Sequence, residues 1–217
     1  MRLTIQEARE LASRVMGKLG HDASDAALIA DHLVDCELRG IGYGGLARAV
    51  SIAERIARTG DRRRPMRIVL ETPVSARLDG GDHIGYVVAH RATSIAIEKA
   101  ESAGIAIAGA SDTWYTGMLS YYAEMAAARG MVSFIASNAS PWVAPYGATE
   151  GRLGTNPICF GFPSAGEPVI FDVSTSAVMH AEVMLAGRLG KELPEHSAFD
   201  GNGIETRDPA AALAGAF

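Results

Sequence analysis

The sequence predicts a mixed α/β fold in which a helical N-terminal region, residues 1–64, precedes a sheet-containing domain, residues 65–217. Three observations carry this expectation. Apolar residues recur at helical spacing in three successive N-terminal segments. After Arg62-Arg63-Arg64 the texture changes to short β-branched runs that alternate with helical ones. An apolar content of 48% with 21% charged residues over 217 positions belongs to a chain that can bury a core.

The first helix opens on Thr4 and Glu7, the spacing of a capping box, and its stripe of Ile5, Ala8, Leu11, Ala12, Val15, Met16 and Leu19 closes at Gly20. A second runs from Asp22 or Ser24 to Leu38 with Ala26, Ile29, Ala30, Leu33 and Cys36 on one face. A third is expected from Leu46 to Gly60. Asp61-Arg62-Arg63-Arg64-Pro65 reads as a solvated turn. Two short strands, Arg67 to Glu71 and Val74 to Leu78, follow, with Asp79-Gly80-Gly81-Asp82 as a turn. Beyond it the pattern gives a helix over Val87–Ala103, a buried strand Ile105–Ala108, a helix Gly117–Arg129 and a strand Met131–Ala136. A long loop then leads to strands at Ile158–Gly161 and Val169–Val173, and a helix spans Ser176–Arg188. Asp208-Pro209 starts a last, short helix that is marginal without packing partners, and the sequence is expected to be a truncated form of something longer.

Several function classes are excluded by composition. No apolar run approaches the roughly 20 residues of a membrane span, and no signal-peptide core follows Met1, so the expectation is a cytoplasmic protein without a membrane partner. A net charge of -5 argues against a nucleic-acid surface. Cys36 and Cys159 fit no ligand spacing, and none of the six histidines pairs into a metal site, so no metal is expected.

Gly40, Gly42 and Gly45 satisfy G-x-G-x-x-G, but the stretch follows a helix rather than a buried strand, which argues against a dinucleotide-binding loop. Two other segments draw attention. Asp172-Val173-Ser174-Thr175-Ser176 joins a strand to a predicted helix, where hydroxyls and amides suit an anion or form a plain N-cap. Ser111-Asp112-Thr113-Trp114-Tyr115-Thr116-Gly117 places aromatic rings in a predicted loop, for stacking on a ligand, for a subunit contact or for internal packing.

Taken together, Glu37-Leu38-Arg39-Gly40 with Gly45-Leu46-Ala47-Arg48, Ala96-Ile97-Glu98-Lys99-Ala100, Tyr121-Tyr122-Ala123-Glu124-Met125-Ala126, Leu153-Gly154-Thr155-Asn156-Pro157 and Asp208-Pro209-Ala210-Ala211-Ala212-Leu213 resemble the type 2 malate/L-lactate dehydrogenase family. The resemblance implies a non-Rossmann NAD(P)-binding sheet domain, a homodimer, and hydride transfer between NAD or NADP and a small 2-oxo/2-hydroxy acid or cyclic imine. In the family the glycine joint reads Arg-Gly-x-x-Ser-His-Gly-Leu-x-Arg. Its histidine, helped by the serine, gives a proton to the substrate, and its arginine holds the substrate carboxylate. Arg48 occupies the arginine position, Tyr43 the serine position and Gly44 the histidine position. Tyr115 and Thr116 stand where the family has histidine and phenylalanine in its Asn-His-Phe-Gly cofactor loop. By the same resemblance Tyr115, Thr116, Gly117, Met118 and Leu119, with Asp172, Val173 and Ser174, touch the cofactor, and Thr155 touches the substrate.

Two functions are therefore expected in competition. One is an active oxidoreductase in which a tyrosine, Tyr43 first and Tyr115 second, replaces the missing proton donor; a phenol's ordinary pKa of about 10 would have to be lowered by nearby positive charge. The other is a catalytically silent relative that keeps a ligand-binding or oligomerising surface.

Overall fold

The structure, a computed structural model, describes residues 2–217. Three helices open the chain: α1 (Ile5–Lys18), α2 (Ala23–Leu38) and α3 (Arg48–Thr59). The capping box at α1 is formed: the Thr4 hydroxyl accepts from the Glu7 amide at 3.2 Å and the Glu7 carboxylate accepts from the Thr4 amide at 2.8 Å. Asp22 caps α2 through the Asp25 amide at 2.8 Å. The α2 stripe is buried as its spacing predicts, and it widens to take in His32 and Val34.

After α3 come β1 (Arg67–Thr72), β2 (Ser75–Ile84), α4 (Gly85–Ala103) and β3 (Ile107–Trp114). Strand β1 pairs antiparallel with β2, and β2 pairs parallel with β3 from Ser75↔Ile107 to Ile84↔Trp114, with α4 as the crossover. Then follow α5 (Ser120–Ala127), β4 (Ser133–Ala136), β5 (Ile158–Phe162), β6 (Val169–Val173), α6 (His180–Leu189) and α7 (Pro209–Leu213). The second sheet has the order β4-β5-β6.

Several expectations need correction. Asp79 to Asp82 do not end a strand. The hairpin turn is at Pro73-Val74, and β2 runs on to Ile84 through an irregularity between Asp79 and His83, where Gly81 and Asp82 take positive φ. Gly80 permits this because β3 passes so close that a Cβ there would lie 2.8 Å from the Asp112 carbonyl. Strand β3 consequently takes up the residues Ser111 to Trp114 that the sequence assigns to a loop. It is also not a buried strand at its start. Ala108 packs with Ala76, Leu78, Ala92 and Ile95 under α4, so Ile107, one residue earlier, faces the other way and is 69% exposed.

The arginine run is largely exposed, as expected, but its guanidinium groups are engaged. The Arg63 guanidinium bonds the Asp61 carboxylate and reaches His21 Nδ1 at 3.2 Å, while Arg64 pairs with Asp79 and Asp112 and donates its amide to the Gly81 carbonyl. These contacts tie the end of α3 to β2 and β3.

The chain forms two compact units. The first runs to Ser133 and includes Phe160–Ile170; the second comprises Phe134–Cys159 and Phe171–Phe217. In the first, Met16, Ala26, Ile29, Leu33, Ile52, Ile84, Tyr86 and Val87 form one cluster, so α1 to α3 share a core with β2 and α4 and no division falls near residue 64. In the second, Val143, Val178, Val183, Leu193, Ala198, Ala212 and Phe217 cluster, and the Phe217 backbone bonds Trp142 and Ala144. These contacts supply the packing that the short α7 needs. Among the described residues no helix is long and apolar enough to cross a membrane.

The burial of α2 sets a direct expectation for stability. Leu33→Ala, at a fully buried core position, should cost about 2–5 kcal/mol in urea unfolding, whereas Leu38→Ala, 58% exposed on the same helix, should stay within about 0.5 kcal/mol.

Candidate functional site

Between α2 and α3 the glycine joint folds back on itself. Gly40 leaves the helix at φ +75°, and the amides of Gly40 and Ile41 return to the carbonyls of Glu37 and Cys36. The Gly44 and Gly45 amides donate to Ile41 and Gly42, and the Leu46 amide donates to the Glu37 carboxylate at 2.7 Å. Amides spent in this way cannot cradle a phosphate, and the joint is a helix-to-helix turn rather than a dinucleotide loop. Its glycines are not equivalent. A Cβ on Gly45 would overlap the Glu37 carboxylate, one on Gly42 would meet nothing within 4 Å, and one on Gly44 would touch Cys36 Sγ and Ile41 Cγ2 at 3.3 Å. Tyr43 sits half-buried within the same turn.

The turn delivers Arg48 as the first residue of α3. Its guanidinium carbon lies 3.8 Å from the centroid of the Tyr115 ring, and its charge acts on the neighbouring Tyr86 hydroxyl. Its Nη1 is buried without a hydrogen-bond partner. Two helical turns on, Arg55 lies over the adjacent Trp114 ring at 4.5 Å, so consecutive aromatic residues at the end of β3 are each covered by an arginine of α3. Trp114 is held in turn by its indole N–H on the Asp82 carbonyl at 3.0 Å.

Tyr115 itself has φ +56°, a conformation that costs a bulky residue strain and persists only where surroundings enforce it. The enforcing groups were missed in the sequence. His32 of α2, 1% exposed, accepts the Met118 amide on Nε2 at 3.0 Å, and the Tyr122 hydroxyl of α5 donates to the Thr116 carbonyl at 2.6 Å. Between them Gly117 turns at φ +79° against Tyr86 and His32, where a Cβ would lie 2.6 Å from His32 Nε2. No spacing in the sequence marks His32, because its partner lies 86 residues away.

These contacts also sort the expected cofactor residues. Met118 and Leu119 have buried side chains, and Met118's amide is taken by His32, which leaves Tyr115, Thr116 and Gly117 at the accessible part of the turn. A half-exposed ring, a hydroxyl and bare backbone there fit a nicotinamide dinucleotide in kind.

In the second unit, the Thr155 carbonyl accepts from the Ser174 hydroxyl at 3.2 Å, the Thr175 amide at 2.9 Å and the Thr175 hydroxyl at 3.0 Å, so the structure joins Thr155 to the segment of Asp172, Val173 and Ser174. It removes the anion-binding helix end from that segment. Helix α6 starts at His180 rather than Ser176, its cap is made by Glu182 on the Met179 amide at 3.3 Å, and the Ser174 and Ser176 hydroxyls are engaged by backbone carbonyls.

Acid-base character follows from burial. Burial pushes the Tyr86 phenol up to about 12, the neighbouring Arg48 opposing it only in part. His32 is held down to about 3, by burial first and by Arg39 second, and with Nε2 accepting an amide it is a neutral ring protonated on Nδ1. Neither group is a proton donor suited to neutral pH.

Residues 3–217 match the sequence model of the malate/L-lactate dehydrogenase family. The chain belongs to this family. The malate dehydrogenase of Pyrococcus abyssi is 38% identical over 208 residues, covering 95% of this chain and 58% of the relative. The L-sulfolactate dehydrogenase of Methanothermobacter thermautotrophicus is 34% identical over 219 residues, covering 100% and 64%. A dehydrogenase crystal structure from Sinorhizobium meliloti superposes with a TM-score of 0.92 at 33% identity, again over 100% of this chain and 64% of the other. The chain thus spans about six tenths of the length of these relatives. Two of the segments that resemble the family are joined directly: Arg39 makes a two-pronged pair with Glu124 at 2.7 and 2.8 Å.

Two outcomes follow from this geometry. Gly45→Ala should destabilise the chain by about 1–3 kcal/mol in thermal or urea unfolding, through displacement of Glu37, while Gly42→Ala should be near neutral. The histidines give a pH dependence. His32 and His21, the latter held at about 4 by burial and by Arg63, have folded pKa values below an unfolded value of about 6.5, so the unfolded chain binds more protons in between. Their contribution is complete above about pH 6.5 and is lost as pH falls toward the folded values. Urea midpoints should drop between pH 7.5 and pH 5, and the drop should shrink in His32→Gln.

Proposed function

We propose that this chain serves an NAD(P)-dependent oxidoreductase that transfers hydride between nicotinamide and a small 2-oxo/2-hydroxy acid or cyclic 2-imino acid. The observation that carries the reading is Arg48 Nη1. A guanidinium N–H buried without an acceptor costs about 1–3 kcal/mol, and a substrate carboxylate is the acceptor whose charge and two-oxygen geometry suit it. The Tyr115 ring lies against the guanidinium, which orients it before a ligand arrives.

In this reading Arg48 binds and orients the acid. Bound nicotinamide would supply the hydride, with Tyr115, Thr116 and Gly117 proposed as its contacts in the first unit. The carbonyl or imine receiving a hydride needs a proton, and Gly44 provides none. Tyr43 and Tyr115 remain the candidate donors, Tyr115 with the Arg48 guanidinium over its ring and Tyr43 within the same turn as Gly44. Thr155 is proposed as a further substrate contact. The oxidoreductase names carried by the malate and sulfolactate relatives support the reaction class. The working protein is proposed to be cytoplasmic and homodimeric.

A second reading, a silent relative that binds ligand without turnover, is favoured by the same Gly44. The two separate in one set of assays. NADH and NADPH oxidation is followed with pyruvate, oxaloacetate and a cyclic imino acid, alongside nucleotide binding. For an enzyme, Arg48→Leu should lower kcat/KM about 100-fold, by loss of a charged contact of about 3 kcal/mol, with nucleotide binding retained. Either Tyr43→Phe or Tyr115→Phe should lower kcat. Binding without turnover in the unaltered chain, with turnover appearing in Gly44→His, would establish the silent reading. Absence of nucleotide binding would sink both.

A further inference from the structure

We propose that His32 is a positioning residue that fixes the Thr116–Met118 turn and thereby holds Tyr115 against Arg48. The inference rests on the reading of Arg48 and Tyr115 as parts of the substrate site.

A buried histidine is an expensive way to fill space on α2. Its Nδ1 is buried with no hydrogen-bond partner, a burden that a leucine would not carry, and its ring is packed by Tyr86 at 4.5 Å, Tyr121 at 4.6 Å and Tyr122 at 5.7 Å between centroids. What the imidazole does that an apolar side chain cannot is accept a hydrogen bond from an amide. Turning at Gly117 takes the Met118 N–H out of any helix or strand, and this N–H is buried with Met118. His32 Nε2 at 3.0 Å is its acceptor.

The consequence reaches Arg48 through a closed set of contacts. The polar groups on both sides of Gly117 are fixed, the Thr116 carbonyl by Tyr122 and the Met118 amide by His32. The Gly117 backbone therefore rests on the Tyr86 ring. The Tyr86 hydroxyl neighbours the Arg48 guanidinium, which covers Tyr115, the residue immediately before Thr116. Tyr115 is thus held in its positive-φ conformation from both ends of the ring of contacts. Loss of the acceptor at His32 leaves a buried amide unpaired, and the turn relieves this by moving outward, which carries Tyr115 from Arg48.

The test compares His32→Gln, whose amide oxygen can stand in for Nε2, with His32→Leu, which removes the acceptor, and with Tyr122→Phe, which removes the other clamp. Amide hydrogen exchange at Met118 is measured at pH 7 relative to Tyr122 and Ala123 of α5, which report any general loosening. The expected result is at least tenfold faster exchange at Met118 in His32→Leu with the α5 amides unchanged, return to within threefold of the parent in His32→Gln, and acceleration in Tyr122→Phe. Where the parent turns over, kcat in His32→Leu should fall at least tenfold with nucleotide Kd within twofold, again with rescue by glutamine. Unchanged Met118 exchange in His32→Leu, or identical behaviour of the leucine and glutamine variants, overturns the proposal. So does a loosened Met118 with undiminished turnover. If the parent binds no nucleotide and turns nothing over, the oxidoreductase reading fails by itself, and the exchange comparison still decides the role of His32.

Discussion

The stacking of the Arg48 guanidinium on the Tyr115 ring is the contact on which the candidate site depends. By itself such a contact contributes about 0.5–2 kcal/mol, too little to define a site. It matters because each partner is constrained independently. Arg48 begins α3 and is aimed by a turn whose Gly45 leaves room for Glu37 to cap the Leu46 amide. Tyr115 follows β3 in a conformation that its own backbone disfavours and that His32, Tyr122 and Gly117 enforce. The Arg55 and Trp114 pair repeats the arrangement two turns along and fixes the register between α3 and β3. What is left unsatisfied is one guanidinium nitrogen, held at a set position.

Such an arrangement separates binding from proton chemistry. Arginine remains charged at any working pH, so the proposed carboxylate contact needs no tuning. Proton transfer does, and the buried titratable groups packed against the Gly117 turn are tuned away from it. Tyr86 is pushed up to about 12 and His32 down to about 3, both chiefly by burial. They serve geometry. At Gly44, where the resemblance implies a proton donor, a Cβ would fit beside Cys36 and Ile41 only with a shift of a few tenths of an ångström. On the proposed reading, proton donation falls to Tyr43 and Tyr115.

Local signals are legible in the sequence and long-range ones are not. The capping box of Thr4 and Glu7, the buried stripe of α2 and the stop at Gly60 are set by contacts within a few residues, and the structure has them where the spacing places them. Asp79 to Asp82 carry every mark of a turn, but pairing with β3, about 30 residues later, draws them into β2, and only Gly80 lets the strands approach. Ser176 looks like a helix cap, yet the Thr155 carbonyl claims the preceding hydroxyl and α6 begins four residues on. Arg62-Arg63-Arg64 is solvated as it reads, but nothing in the sequence marks Asp79 and Asp112 as the partners of Arg64. Arg48 and Tyr115 were legible through resemblance to the family, whereas His32 was not: a histidine's role depends on what faces its two nitrogens, and here that is an amide 86 positions away.

The central claim is that Arg48 presents an unsatisfied guanidinium nitrogen to a carboxylate from a fixed position. The most direct measurement is the side-chain nitrogen NMR spectrum of arginine-labelled protein titrated with pyruvate, with the Arg48 signals assigned by their loss in Arg48→Lys and the stacked Arg55 as internal control. A saturable shift of the Arg48 Nη signals, with those of Arg55 unmoved, is the predicted result. Arg48 signals that stay still while pyruvate binds, or that move only in step with every other arginine, would contradict the account.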